Sequence, residues 1–523
     1  MEGWLSLCLM ALAMLMALCF LRLSGYKNNP KKRLPPGPWT LPIIGSLHHL
    51  IGALPHRTLT ALSRRHGPLM LLRLGEVQTV VVSSAEAVAL VMKTNDLTFS
   101  SRPSIPTMDI LTCGGKGFAF APYGDHWRQM RKVCIVELLS SKQVKRMEGI
   151  RAELVGGLIR HITHTAASAT GGAAGGAIIN VSEKVTRLSN DVVSRAVLGG
   201  KFAQQGEYIR TLYDALALLG GFHLIDFFPS WRLVRWLSNE ERNMKKRYGR
   251  VQHIIADIVE ARREATKAAG GGGGASCGST NDDDMLDVLL RLQQEDTLSF
   301  PLTSEIIGAV LFDILGAATE TTGILLVWAM SELARHPEAM AKAQLEVRKV
   351  LGEDHRAVIT NSDLAELHYV RMVIKEVLRL HPPNPIILRM NREDCKIMDY
   401  DIPKGTSVYV NIFAVSRDPE HWENPERFRP ERFENSKMDY TGTYSEFTPF
   451  GTGRRQCPGI QFSSSLAELA LANFLYHFDW MLPDGETPAS FDMSEKFTFT
   501  VSRRYDLHLR AIPHVCLKSM PSK

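Results

Sequence analysis

From Gly3 to Leu21 the chain runs 19 residues without a charge, nearly all Leu, Met, Ala, Cys or Phe, enough for a helix to span a bilayer core. Glu2 stands where a cleaved signal peptide carries basic residues, the run outlasts a usual h-region and no clear A-x-A site follows, so the segment reads as an anchor. Arg22, Lys27, Lys31, Lys32 and Arg33 lie behind it, and basic flanks stay cytosolic, which is where the bulk of the chain is expected. Next, Leu34-Pro-Pro-Gly-Pro-Trp-Thr-Leu-Pro42 reads as a stiff spacer. The expected organisation is an anchor over 1–25, a basic and proline-rich hinge over 26–42, and one large domain over 43–523.

Within that domain, the apolar pattern predicts strands over Leu69–Leu74 and Val77–Val82, parted by a Gly-Glu turn, with a helix beginning at Ala85. Most later segments read as helices. Leu302–Arg335 is almost free of charge, apart from Glu305, Asp313, Glu320 and Glu332, and ends near His336-Pro337, so it predicts a long, largely buried helix. Asp399–Val410 and Phe497–Leu509 alternate as strands do. Two stretches rich in Ala, Gly and Ser, Thr165–Ala177 and Ala268–Asp284, are expected as exposed loops. The predicted class is mainly α with a smaller β portion.

Composition narrows the picture only a little. With 45% apolar and 22% charged residues in 523, the chain can bury a large core, and a net charge of +6 is too mild and dispersed to imply nucleic acid. Eight cysteines are scattered without a CxxC pair or zinc spacing, so neither a disulfide framework nor a zinc module is expected. No dinucleotide fingerprint is present, because Gly271–Gly274 is low-complexity and Gly451-Thr-Gly453 sits in no strand-to-helix phosphate turn.

One cysteine has a distinctive setting. Phe450-Gly-Thr-Gly-Arg-Arg-Gln-Cys-Pro-Gly459 holds Cys457 in a glycine-bearing loop just before a helical stretch from Gln461, where helix N–H groups are expected to lower the thiol pKa and favour iron ligation. This loop resembles that of the cytochrome P450 family, F-x-x-G-x-R-x-C-x-G, matched at Phe450, Gly453, Arg455, Cys457 and Gly459. The resemblance implies the cytochrome P450 fold preceded by one N-terminal transmembrane helix, and haem b (iron protoporphyrin IX) with Cys457 as the iron's axial ligand.

Further family elements follow in order. Glu376 and Arg379 alone would be an ordinary i, i+3 helix pair; with Arg432 of Pro430-Glu431-Arg432-Phe433 they resemble the family's structural network behind the haem. Trp127 and Arg131 resemble its W-x-x-x-R propionate pair, and Arg389 and Arg455 its other propionate partners, guanidinium being suited to carboxylate. Phe450 is carried over as a cofactor contact. Ala317-Ala-Thr-Glu-Thr-Thr322 resembles the oxygen-activation segment, with Glu320 and Thr321 as its acid and alcohol, but Ala318 replaces the usual glycine and narrows the groove there.

The implied activity is a haem-thiolate monooxygenase that inserts one oxygen atom from O2 into a lipophilic small molecule. Electrons are expected from NADPH through a separate flavoprotein, NADPH-cytochrome reductase, docked over the cysteine side of the haem. The implied location is the endoplasmic reticulum membrane, single-pass, with the catalytic domain facing the cytosol. The resemblance places Ile110, Phe118, Phe120, Leu219, Phe222, Asp313, Ala317, Ile386 and Ile387 around the substrate, a mostly apolar lining. The chain looks most like plant microsomal members of specialised metabolism. A terpenoid leads as substrate, with phenylpropanoid, indole-derived and amino-acid-derived compounds as alternatives. A haem-thiolate isomerase or dehydratase acting without O2, and a non-catalytic haem-binding protein, are the competing readings; retention of Glu320-Thr321 favours oxygenation over the isomerase.

Overall fold

The computed structural model describes residues 32–168, 175–219, 223–270, 284–352 and 359–514; the expected anchor over 1–25 lies outside them. The helices used below are α1 (Pro55–His66), α2 (Asp125–Cys134), α3 (Val181–Leu198), α4 (Ser304–Arg335), α5 (His368–Leu380) and α6 (Ile460–His477).

The first predicted hairpin forms with the boundaries read from the sequence. β1 (Leu69–Leu74) pairs antiparallel with β2 (Val77–Val82), and Gly75 makes the turn at φ +63°. β2 then pairs in parallel with β7 (Ser407–Asn411), which pairs antiparallel with β4 (Ile386–Met390), giving the order β1-β2-β7-β4. Period-two geometry sends Met70, Leu72, Leu74 and Val81 into one apolar cluster and Leu69, Val80 and Val82 into another. Both faces are therefore covered, which is why these strands read as near-continuous apolar runs. Smaller sheets complete the β portion: β3 (Ala177–Asn180), β11 (His508–Pro513) and β8 (Phe478–Met481) in the order β3-β11-β8, and the pairs β5 (Cys395–Ile397) with β6 (Tyr400–Ile402) and β9 (Glu495–Phe497) with β10 (Val501–Arg503).

α4 threads the helical part. The Thr303 hydroxyl accepts from Ile306 N to cap its start, and His336-Pro337 ends it. It is long and apolar enough to cross a membrane, the one such helix among the described residues, yet most of it is buried against its neighbours, α3 and α6 among them. It is a core helix, as its isolated charges implied.

Two expectations change. Residues 33–42 are not a free spacer: Leu71 N donates to Pro36 O (2.8 Å), Arg33 N to Asp401 Oδ2 (2.7 Å), and a Cβ at Gly37 would meet Leu71 O at 2.0 Å. The folded body thus begins about where the prolines do, and the prolines stiffen a docked strap. The low-complexity stretches are also partly helical where they are described. Helix Glu148–Ser168 runs into the first and helix Glu240–Gly270 into the second, alanine being the best helix former, while Asp284 caps helix Met285–Glu295 by accepting from Asp287 N (3.0 Å). Residues 169–174 and 271–283 lie outside the described residues.

Candidate functional site

Ahead of α6 the cysteine loop folds back on itself, with Cys457 N donating to Phe450 O at 3.0 Å. Gly453, at φ +73°, also meets the neighbouring chain so closely that a Cβ would lie 2.3 Å from Met92 O, so only glycine fits. The thiol of Cys457 opens onto a cavity of about 280 Å³. Here the expected depression of its pKa does not appear: burial pushes the thiol up, and the Gly459 N–H and Arg131 only partly offset it.

Three guanidinium groups, those of Arg102, Arg131 and Arg455, line the cavity, while Arg389, also expected there, does not line it but lies close enough to feel their charge. Arg455 Nε donates to Ser100 O (2.7 Å) and its other nitrogens reach Phe118 O and Ala121 O; Arg131 reaches Gln456 O (2.6 Å), Arg389 reaches Leu388 O (3.4 Å), and Arg102 reaches Leu388 O (2.5 Å) and Ala119 O (3.4 Å). All of these acceptors are carbonyls, and among the described residues none of the four makes an ion pair. Burial first, and then the other guanidiniums, lower Arg455 to about 8 and hold Arg389 well below the usual arginine range; burial and Arg131 lower Arg102 to about 10. Trp127 lies beneath two of them, its ring 4.2 Å from Arg455 Cζ and 5.5 Å from Arg131 Cζ. Clustered cations with neutral partners call for an anion. Two carboxylates on one planar group, as in haem b, match that demand, with Cys457 available to the iron.

α4 presents Ala317, Ala318 and Thr321 to the cavity. Thr321 Oγ1 donates back to Ala317 O (2.8 Å), and Ser189 Oγ on α3 donates to Ala318 O (2.8 Å). The methyl of Ala318 thus sits on the cavity wall where the family pattern has glycine. Glu320, one residue before Thr321, turns to the β9–β10 hairpin, where Thr500 Oγ1 donates to its Oε1 at 2.8 Å. Burial raises its carboxyl to about 7, although the Thr500 bond and Lys496 pull the other way.

On α5, away from the cavity, Glu376 and Arg379 are wholly buried. Arg379 Nε and Nη2 reach the two oxygens of Glu376 (2.8 and 2.9 Å), and Arg432 Nε (2.9 Å) and Arg429 N (2.8 Å) also donate to Oε1. Arg379 additionally donates to Ser416 O, Pro425 O and Arg427 O. This ties α5 to the segment that leads to the cysteine loop.

Of the expected substrate residues, Phe118, Phe120, Ala317, Ile386 and Ile387 line the cavity, as does Phe450, whose ring packs edge-on against Tyr440. Asp313 borders it too, but its Oδ2 accepts from Phe118 N (2.8 Å) and Ala119 N (2.9 Å), so it positions the loop, and burial lifts it to about 6. Ile110 is a correction: it sits half-buried on the short helix Pro106–Leu111, which turns Met108 and Leu111 inward, and does not line the cavity. The Leu219 side chain and Phe222 lie outside the described residues. Arg102, Asn384, Phe499 and Thr500 also line the cavity; the resemblance places their segments, 100–123, 384–388 and 497–501, around the substrate without singling these residues out. A lone arginine before Pro103 and a Thr in a strand-like run carry no signal by themselves; Asn384 between two prolines does.

The family model described as Cytochrome P450 matches residues 35–507. The chain is 41% identical over 499 residues to desmethyl-deoxy-podophyllotoxin synthase of Sinopodophyllum hexandrum, covering 95% of each. It is 43% identical over 470 residues to ent-cassadiene hydroxylase of Oryza sativa subsp. japonica, covering 89% of each. To premnaspirodiene oxygenase of Hyoscyamus muticus it is 39% identical over 488 residues, covering 93% of this chain and 94% of that protein.

Proposed function

We propose, because this chain belongs to the cytochrome P450 family and is a monooxygenase, that its substrate is a lipophilic small molecule of terpenoid type and that Cys457 would ligate its haem iron. Haem b, when bound, supplies the activation of dioxygen and the transfer of one oxygen atom to a C–H or C=C bond, the Cys457 thiolate favouring O–O cleavage. Arg102, Arg131 and Arg455, with Arg389 close behind them, would hold the propionates, and Trp127 and Phe450 would pack beside the cofactor. Thr321 holds a proton at its Oγ1 on the cavity side of α4, its position set by the bond to Ala317 O. Glu320, poised near neutrality, stores a proton one residue away and exchanges it through Thr500 or water. Glu376, Arg379 and Arg432 act structurally, holding the loop that carries Cys457.

A single observation carries this reading: one cavity gathers the Cys457 thiol, three arginines with no carboxylate partner among the described residues and the Ala317–Thr321 face of α4. Two relatives named for ent-cassadiene and premnaspirodiene support a terpenoid. The synthase named for a podophyllotoxin keeps phenylpropanoid-derived compounds as the second choice. Electrons come from NADPH through a membrane-bound NADPH-cytochrome reductase, and residues 1–25 anchor the protein in the endoplasmic reticulum with the haem domain on the cytosolic side.

The test is to incubate the purified full-length protein with reductase, NADPH and panels of terpenoid, phenylpropanoid, indole-derived and amino-acid-derived compounds. The expected result is a terpenoid product that has gained one oxygen atom and that vanishes without NADPH or O2. Product formed in their absence would establish the isomerase reading instead, and oxygenation confined to another panel would overturn the terpenoid class.

A further inference from the structure

In a cavity walled mainly by apolar side chains, one carboxamide stands apart. Asn384 borders the space shared with Phe118, Ala317 and Phe499, and its Oδ1 is sealed from solvent with no hydrogen-bond partner among the described residues. A buried amide oxygen left unpaired costs roughly 1–3 kcal/mol, so an asparagine here calls for a partner.

Local structure explains why the chain itself supplies none. Asparagine usually satisfies its side chain by accepting a backbone N–H one or two residues on. Residue 385 is proline and has no N–H, while Ile386 opens β4 and is paired with Asn411 on β7. The carbonyls of the turn are also engaged, Pro383 O accepting from Val501 N (2.8 Å) and Pro385 O from Phe413 N (3.3 Å). Nearby hydroxyls donate elsewhere: Thr321 to Ala317 O, Thr322 to Ser463 Oγ, and Thr500 to Glu320. Prolines on both sides restrict the backbone that carries the amide.

We propose that Asn384 hydrogen-bonds a hydroxyl group of the substrate, so that the molecule this enzyme oxygenates is a terpenoid alcohol in preference to the parent hydrocarbon. The proposal rests on the terpenoid reading above. A hydroxyl is the fitting group because it donates to Oδ1 and, when the amide turns over, accepts from Nδ2; an ether or ketone only accepts. A site built to bond a hydroxyl discriminates against the analogue lacking it, since the amide is then buried unpaired. In a reaction sequence, a step that installs a hydroxyl on the same skeleton must come first.

Binding constants decide the matter without reliance on turnover. The haem-loaded full-length protein is titrated with matched pairs, ent-cassadiene and premnaspirodiene each against a mono-alcohol of the same skeleton, following the haem absorption change and, independently, heat. The wild type is expected to bind an alcohol at least about tenfold more tightly than its hydrocarbon, and the isosteric Asn384→Leu to lose that preference while keeping the haem spectrum. If leucine disturbs the turn, loss of the preference in Asn384→Val together with its partial retention in Asn384→Ser supports the inference equally. Equal binding of both members by the wild type, or a preference that survives Asn384→Leu, overturns the inference alone and leaves the amide to an ordered water. Binding of neither member of any pair overturns the terpenoid reading and this inference with it.

Discussion

Glu376→Ala removes the carboxylate that faces Arg379 where neither side chain reaches solvent. Arg379 then keeps its bonds to Ser416 O, Pro425 O and Arg427 O but loses its bidentate counter-charge, and Arg432 and the Arg429 N–H lose an acceptor as well. Breaking a buried pair by deleting one partner costs about 3–5 kcal/mol. The three remaining carbonyls keep part of the guanidinium solvated, which places the loss near the lower end, about 3 kcal/mol, out of a total of roughly 5–15 for a folded domain. The assay is urea unfolding of the detergent-solubilised protein, read by far-ultraviolet dichroism and by haem absorbance, with the slope checked for constancy. Lys116→Ala is the control, because Lys116 and Glu305 pair at 2.6 Å with both side chains about half exposed, and such a pair is worth about 0–1 kcal/mol. A Glu376→Ala midpoint no lower than that of Lys116→Ala would refute the claim that this network holds the fold.

Thr321→Ala should keep its helix and its haem spectrum yet yield less product and more hydrogen peroxide per NADPH; unchanged coupling with the true substrate would remove Thr321 from proton delivery. Thr500→Val deletes the donor that lowers the Glu320 pKa. Glu320 is protonated below about 7 and ionised above it, so coupling that needs the acid form falls as pH rises through that value, and the variant should move this limb to higher pH; a stationary limb refutes the assignment. Because the folded pKa of about 7 exceeds the ordinary 4.5, the folded protein holds the extra proton between these values, and this group's contribution to stability declines across that window as pH rises. Arg102→Leu should act in opposite directions on the two forms: haem passes to an acceptor globin about 10- to 100-fold faster, since a charge-assisted bond is worth about 1.5–3 kcal/mol, whereas the haem-free protein melts later. Movement of both in one direction would remove Arg102 from the propionate site.

Local pattern is legible where it has a local cause. The β1–β2 hairpin follows from apolar runs around Gly75, α4 from a long stretch with few charges, and the cysteine loop from a spacing that only one constellation uses. What the sequence withholds depends on distant partners. Residues 33–42 look like a spacer because their partners, Leu71 and Asp401, lie far along the chain. Ile110 is misplaced by sequence because a six-residue helix inside a loop sets which side faces inward. The sign of the Cys457 shift escapes sequence reasoning because nearness to a helix start is visible there while burial is not.

Arg102, Arg131 and Arg455 at the cavity, with Arg389 close by, also give the protein's biosynthesis an order. Arg102 and Arg131 leave the ribosome long before Arg389 and Arg455, so the positive cluster forms only when synthesis is nearly finished, and it repels itself as it forms. An anionic cofactor would be drawn into that field over distance, and its capture is expected to slow as salt rises. Until such an anion is bound the repulsion stays uncompensated, so loading the cofactor is expected to raise the protein's stability by mass action and its abundance with it.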